Sequence, residues 1–236
     1  MSRTVMPLPH DAVATVIRRD NRFRITARIT SPVCEEEVAV HLHDPGRVRE
    51  VIYPGNTILL KWARSATRMT DWDVLAGDVG GDWVLVHSGY HSTIAERIMR
   101  AGLAGPSLAA CDLRREATRG ASRFDFLLEC RDHRHWIEVK GCSLARNGVA
   151  LFPDAPTVRG TRHLTELIDA VERGDRASVL VLVLGHDARS FSPNGDTDPH
   201  FAKAFARAVE AGVDIHPLRC SYDGANISFH DVLPIE

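Results

Sequence analysis

Residues 122–142 constrain this chain more than any other stretch. They read Ser-Arg-Phe-Asp-Phe-Leu-Leu-Glu-Cys, a charged turn at 131–134, then His-Trp-Ile-Glu-Val-Lys-Gly-Cys. Two strand-like runs around a short polar turn form a β-hairpin. Side chains alternate along a strand, so Trp136, Glu138 and Lys140 share one face and Ile137 and Val139 the other. On the first strand Asp125 stands alone among Phe124, Phe126, Leu127 and Leu128. A carboxylate in such a run is costly unless a positive charge meets it. A cation held by Asp125 and Glu138, with Lys140 beside them, supplies that charge.

Glu-x-Lys alone is a common solvated pair on strands, so the neighbouring acids matter. Glu116 enters the hairpin from Arg114-Arg115-Glu116-Ala117 and joins Asp125 and Glu138 as a candidate metal ligand. Lysine occurs only at positions 61, 140 and 203, in a chain rich in arginine. A lysine can share its proton with a reacting water and an arginine cannot, so lysine at 140 suits chemistry.

The chain has 236 residues, enough for one or two domains, and 44% hydrophobic content, ordinary for a globular protein. Its formal net charge of −2 gives no global basic field. Residues 1–70 carry eleven Lys and Arg against seven Asp and Glu, which is +4 and leaves −6 for the rest. A nucleic-acid surface is therefore local and N-terminal. The five cysteines form no C-x-x-C pair, which argues against a disulfide framework and a cysteine zinc site. Without an N-terminal apolar segment or a membrane-spanning run, the expectation is a soluble cytoplasmic protein with no membrane partner.

In chain order, the first ten residues read as an extended lead-in. Strands follow at 12–17, 22–30, 37–42, 57–62, 72–76 and 83–87, separated by Asp44-Pro45-Gly46, Pro54-Gly55 and Gly80-Gly81. In the second of these, Phe23, Ile25, Ala27 and Ile29 face inward, and Arg22, Arg24, Thr26 and Arg28 outward. So many short strands imply a small closed, OB-like barrel. The rest alternates helices and strands. Helices are expected from about residue 92, at 161–173 and at 199–212, the last with Phe201, Phe205 and Val209 inward, and strands at 178–184, 213–218 and 226–229, while 144–160 reads as irregular. In the first helix, Thr93-x-x-Glu96 matches a capping box, which gives Glu96 a local role. The fold class is an α+β two-domain chain: an OB-like barrel at 1–85 and an α/β domain at 86–236.

From about residue 113 onward the chain resembles the sugar fermentation stimulation protein family. The resemblance rests on Leu113-Arg-Arg-Glu116, Ser122-Arg-Phe-Asp125-Phe, Ile137-Glu-Val-Lys140-Gly-Cys-Ser-Leu-Ala145, Phe152-Pro-Asp-Ala-Pro-Thr157 and Arg159-Gly-Thr-Arg-His163-Leu-x-Glu-Leu167. It implies an N-terminal OB-like nucleic-acid-binding domain and a C-terminal domain of the PD-(D/E)xK nuclease type. The barrel half departs from the family at His43-Asp44-Pro45-Gly46-Arg47, where relatives tend to read Pro-Asn-Thr-Gly-Arg. It departs again at Arg68-Met69-Thr70, where they often read Arg-Lys-Thr, and at His91-Ser92, where a Pro-Asn pair is expected.

The residues and the resemblance together imply metal-dependent phosphodiester hydrolysis. Glu116, Asp125, Glu138 and Lys140 are the catalytic set, the three acids binding Mg²⁺, with Mn²⁺ as the substitute. Arg22, Arg24, Arg28, Arg47, Arg159 and His163 are candidate phosphate contacts. Arg159 and His163 lie one helical turn apart, on a face opposite Leu164 and Leu167. The expected partner is DNA before RNA. The alternative is a non-catalytic DNA-binding protein that regulates sugar metabolism. His41-x-His43, His133-x-His135 and His87-x-x-x-His91 lack a third ligand at a useful spacing, so a histidine zinc site is disfavoured.

Overall fold

In the computed structural model, residues 2–32, 36–44, 46–108, 111–185 and 187–236 are described. Cys34 and Pro45 lie outside them. The barrel forms from β2 (Ala12–Arg19), β3 (Arg24–Ser31), β4 (Glu37–His41), β5 (Thr57–Trp62) and β6 (Trp72–Val79). They run in the order β4-β3-β2-β5-β6, and a parallel β4–β6 seam, Val40↔Trp72 and His41↔Asp73, closes the ring. Ile25, Ala27, Ile29, Val40, Ile58, Leu60 and Val74 fill the interior. The alternation expected for the second strand holds from Ile25 onward. Phe23 is an exception: it precedes the strand and is exposed.

β7 (Asp82–Leu85) leaves the barrel and meets the second half of the chain at Trp83↔Tyr222. That half is built on β8 (Cys111–Arg119), β9 (Ser122–Cys130), β10 (Arg134–Cys142), β13 (Arg176–Val183), β15 (Asp214–Tyr222) and β16 (Asn226–Val232). β10, β13 and β15 are mutually parallel, and β8-β9-β10 form an antiparallel meander on one side. β13 is buried along nearly its whole length, as its unbroken apolar run demands. A small sheet of β11 (Ala145–Arg146), β12 (Val149–Phe152) and β14 (Ser190–Pro193) lies beside it, within a stretch whose first part the sequence left irregular.

α1 (His91–Arg100) covers one face of the central sheet, burying Ile94, Ala95, Ile98 and Met99 against Ile137, Val139, Leu180 and Leu182. α2 (Val158–Glu172) and α3 (Pro199–Glu210) cover the other, packing Leu164, Leu167, Phe201 and Phe205 on Trp136, Val179 and Val181. The two faces of β10 thus divide as its alternation requires. Thr157 caps α2 by accepting from the Gly160 amide, and Asp198 caps α3 by accepting from the Phe201 amide.

Four sequence expectations are corrected. The opening residues are not a lead-in: β1 (Arg3–Pro7) pairs with β16. The capping box is absent, because α1 begins at His91 and leaves Thr93 and Glu96 inside the helix. Glu96 instead receives Arg100 Nε at 2.7 Å and pairs with Arg115. Cys111 and Cys130 face each other across the open end of the β8–β9 hairpin and form a disulfide. Val209, expected inside α3, is exposed. No described helix is long and apolar enough to cross a membrane.

Candidate active site

β9 and β10 bring Asp125 and Glu138 into one cleft of about 430 Å³ between the barrel and the α/β half. Lys140, two residues beyond Glu138 on the same face, pairs with Glu138 Oε1. Glu138 is 3% exposed, and its Oε2 is buried with no hydrogen-bond partner among the described residues. Asp125 is fixed from two sides: Ser92 Oγ donates to Oδ1 at 2.5 Å, and the Val139 amide to Oδ2 at 2.8 Å. The first bond comes from the start of α1 and the second from β10, so Asp125 ties the hairpin to the helix.

The two carboxyls titrate apart. Burial and the charge of Glu138 push Asp125 above the usual carboxylate range, against the pull of Ser92, the Val139 amide and Lys140. Burial pushes Glu138 up as well, but Lys140 and His163 outweigh it and hold Glu138 below its ordinary value. A buried, mutually repelling carboxyl pair with an unpartnered oxygen and one lysine is short of positive charge. A hard divalent cation, bound through oxygen, fits this donor set.

His163 is the main revision. The sequence placed it on an outer helix face, free to hold phosphate. It is 1% exposed, and its Nδ1 donates to Glu138 Oε1. Arg159 Nε donates to His163 Nε2 at 3.3 Å. Arginine can only donate, so Nε2 must be the acceptor and the proton sits on Nδ1. His163 therefore orients Glu138 in one tautomer. Arg159 itself is exposed and lines the cleft.

Glu116 stands apart from this set. The ladder places it between the pairs Arg115↔Phe126 and Ala117↔Phe124, across from Asp125. Its φ of +53° turns it out of the strand's regular pleat. The side chain is 68% exposed and lies 3.4 Å from Arg123. The arginine candidates also divide. Arg22 lines the cleft, while Arg24 lies on the barrel's outer face and Arg28 pairs with Glu37 at 2.8 Å. Arg47 is exposed, and its amide donates to Asp154 Oδ2 at 2.6 Å.

Sequence reasoning missed the rest of the cleft wall. Asp154, after the cis Phe152–Pro153 bond, also receives the Val48 amide at 3.2 Å and so clasps the barrel loop to the α/β half. Asp44 faces it, and burial and Asp154 push its carboxyl up to about 6. His91 roofs the cleft over Gly141, where a Cβ would lie 2.7 Å from His91 Nδ1, so only glycine lets the ring approach. Burial lowers the His91 pKa to about 4, which keeps the ring neutral near pH 7. The disfavoured histidine cluster also needs correction: His43 and His87 meet at Asp73, a third ligand thirty residues from one and fourteen from the other.

The sequence matches the SfsA N-terminal OB domain over residues 17–86 and the sugar fermentation stimulation protein RE domain over residues 89–226. This chain belongs to the sugar fermentation stimulation protein family. A sugar fermentation stimulation protein homolog of Methanococcoides burtonii is 40% identical over 235 residues, covering 98% of this chain and 94% of its own. The homolog of Methanothermobacter thermautotrophicus is 44% identical over 207 residues, 88% of this chain and 85% of its own. The solved structure of Pyrococcus furiosus SfsA in complex with Ca²⁺ superposes with a TM-score of 0.89, at 28% identity and over 99% of both chains. The overall fold described above is thus shared with that relative.

Proposed function

We propose that this family member is a divalent-metal-dependent nuclease that hydrolyses phosphodiester bonds, with DNA as the first substrate to test and RNA the second. The observation that carries the reading is the buried Asp125–Glu138 pair, with Glu138 Oε2 unpartnered and Lys140 alongside. Asp125 and Glu138 would hold Mg²⁺, with Mn²⁺ as substitute. When bound, that ion polarises a phosphodiester oxygen and acidifies a water. The Ca²⁺ in the Pyrococcus furiosus relative supports a hard cation in this fold.

The chain's own groups do the rest. Ser92 and the Val139 amide aim Asp125 into the cleft. His163 fixes Glu138 from behind. Lys140 orients the attacking water or meets the charge that develops on the phosphate. Arg22, just before β3 of the barrel, and Arg159, on α2, receive the flanking phosphates. Such contacts position a strand without reading its sequence, so binding falls steeply with salt.

The test is cleavage of labelled single- and double-stranded DNA and RNA, with Mg²⁺ and with EDTA. Wild type should cleave only with metal. Glu138→Ala and Lys140→Ala should lose at least about 100-fold in rate while still binding nucleic acid, and Glu116→Ala should cleave as wild type. Wild-type rates in Lys140→Ala would sink the site assignment. Salt-sensitive binding with no cleavage by wild type would favour the regulatory DNA-binding reading instead.

A further inference from the structure

A second group of ligand-type side chains converges outside the Asp125–Glu138 pair. His43 lies just beyond β4, Asp73 on β6 and His87 just beyond β7. One ligand atom from each lies within 4.8 Å of the other two. Both imidazoles turn Nε2 toward the same oxygen, Asp73 Oδ2, at 3.3 Å for His43 and 3.5 Å for His87. Those separations are long for an N–H···O hydrogen bond, which centres at about 2.9–3.0 Å. They match the edge of a coordination tetrahedron: metal bonds of about 2.0–2.1 Å set neighbouring ligand atoms roughly 3.3–3.4 Å apart.

The surroundings support the same reading. Arg68 occupies the other carboxylate oxygen, Oδ1, so the plane of Asp73 is fixed and Oδ2 is left to the histidines. His87 is buried, and its Nδ1 has no hydrogen-bond partner among the described residues, so its ring engages polar groups only on the Asp73 side. The His43 side chain is 32% exposed, which leaves solvent access for a water as fourth ligand.

We propose that His43, Asp73 and His87 form a site for one divalent transition-metal ion of the Zn²⁺ class. Two imidazoles and one carboxylate favour such ions over Mg²⁺ or Ca²⁺, which prefer all-oxygen sets. The site lies on the β4–β6 seam that closes the barrel, where His41 pairs with Asp73. Ser88 Oγ, in the 3-10 turn leading into α1, donates to the His43 carbonyl at 2.8 Å. A bound ion therefore pins the seam to the junction between the two halves. This role is structural and does not depend on the nuclease reading.

The experiment uses the full-length protein stripped with chelator. Zn²⁺ is titrated by calorimetry and Co²⁺ by visible absorption, with thermal melts of each form. The expected result is one equivalent bound beyond any ion held by Asp125 and Glu138, and a raised melting temperature. His43→Ala and His87→Ala each should weaken binding at least 100-fold, whereas Asp125→Ala/Glu138→Ala should keep the equivalent. His43 is partly exposed, so its replacement leaves the core intact, and circular dichroism checks this. No bound equivalent at tens of micromolar metal would overturn the proposal. So would wild-type affinity in both histidine variants, which would send the ion elsewhere, for example to His133 and His135.

Discussion

Asp44 shows how burial of a single carboxyl makes the molecule answer to pH. Its carboxyl is pushed from an ordinary 3.8 to about 6, by burial first and then by Asp154 across the cleft, while the Gly46 amide resists. A carboxyl with a raised folded-state pKa holds its proton more tightly when folded. The stability it confers is full below about pH 4 and is lost as pH rises through 6. The shift is worth on the order of 3 kcal/mol at most. Asp44→Asn keeps an oxygen for the Gly46 amide and removes the charge. Thermal melts should place it several degrees above wild type at pH 7.5 and level with it at pH 4. Equal melting temperatures at both pH values would show that Asp44 ionises freely. At this scale the sequence was readable only where the cause is local. Asp125, Glu138 and Lys140 follow from strand alternation, and all three line the cleft. Glu116 lies apart from them because one positive φ redirects its side chain, and nothing in Arg-Arg-Glu-Ala announces it. The inner face of α2 takes in His163 together with Leu164 and Leu167, so a histidine assigned to the surface became the support of Glu138.

At the level of elements, the β8–β9 hairpin is the exposed side of the central sheet, with β8 as its edge strand. Cys111 opens β8 and Cys130 closes β9, nineteen residues apart, so their bond staples the hairpin at its open end. Counting cysteines missed it because β8 itself was not foreseen as a strand: Arg114-Arg115-Glu116 carries little apolar alternation. Once β8 is paired with β9, the register alone brings the two sulfurs together. Closing a loop of this length removes entropy from the unfolded chain worth roughly 3 kcal/mol. Reduction, or the Cys111→Ser/Cys130→Ser double variant, should lower the melting temperature by about 5–10 °C. Intact mass with and without alkylation of the reduced protein verifies the bond. An unchanged melt in the double variant would mean that strand pairing already holds the edge.

Over the whole molecule, the barrel and the α/β half are joined by a shared apolar cluster, beside the barrel's own interior. Leu59, Leu75, Ala76 and Leu85 from the barrel side join Phe126, Ile137, Leu180, Leu182 and Leu218 in a single cluster. β1 completes it from the other end of the sequence, burying Met6, with Leu8 just beyond the strand, against β16 and α1. The Leu8 carbonyl accepts the buried Tyr222 hydroxyl at 2.7 Å, and the Leu8 amide donates to the Ala225 carbonyl at 2.7 Å. This coupling has a consequence for the cleft, whose walls come from both halves and are clasped by Asp154. Deleting residues 1–8 removes two buried side chains worth about 1.5–3 kcal/mol each and leaves the edge of β16 unpaired. The truncated protein should melt roughly 10 °C or more below wild type. It should do so in one transition, with hydrogen exchange rising together in β16, α1 and the barrel strands β5 and β6. Two separate transitions in calorimetry, with the barrel unaffected, would mean that the shared cluster does not couple the halves. The geometry of Arg22 against Lys140 and Arg159 would then vary with the hinge between them.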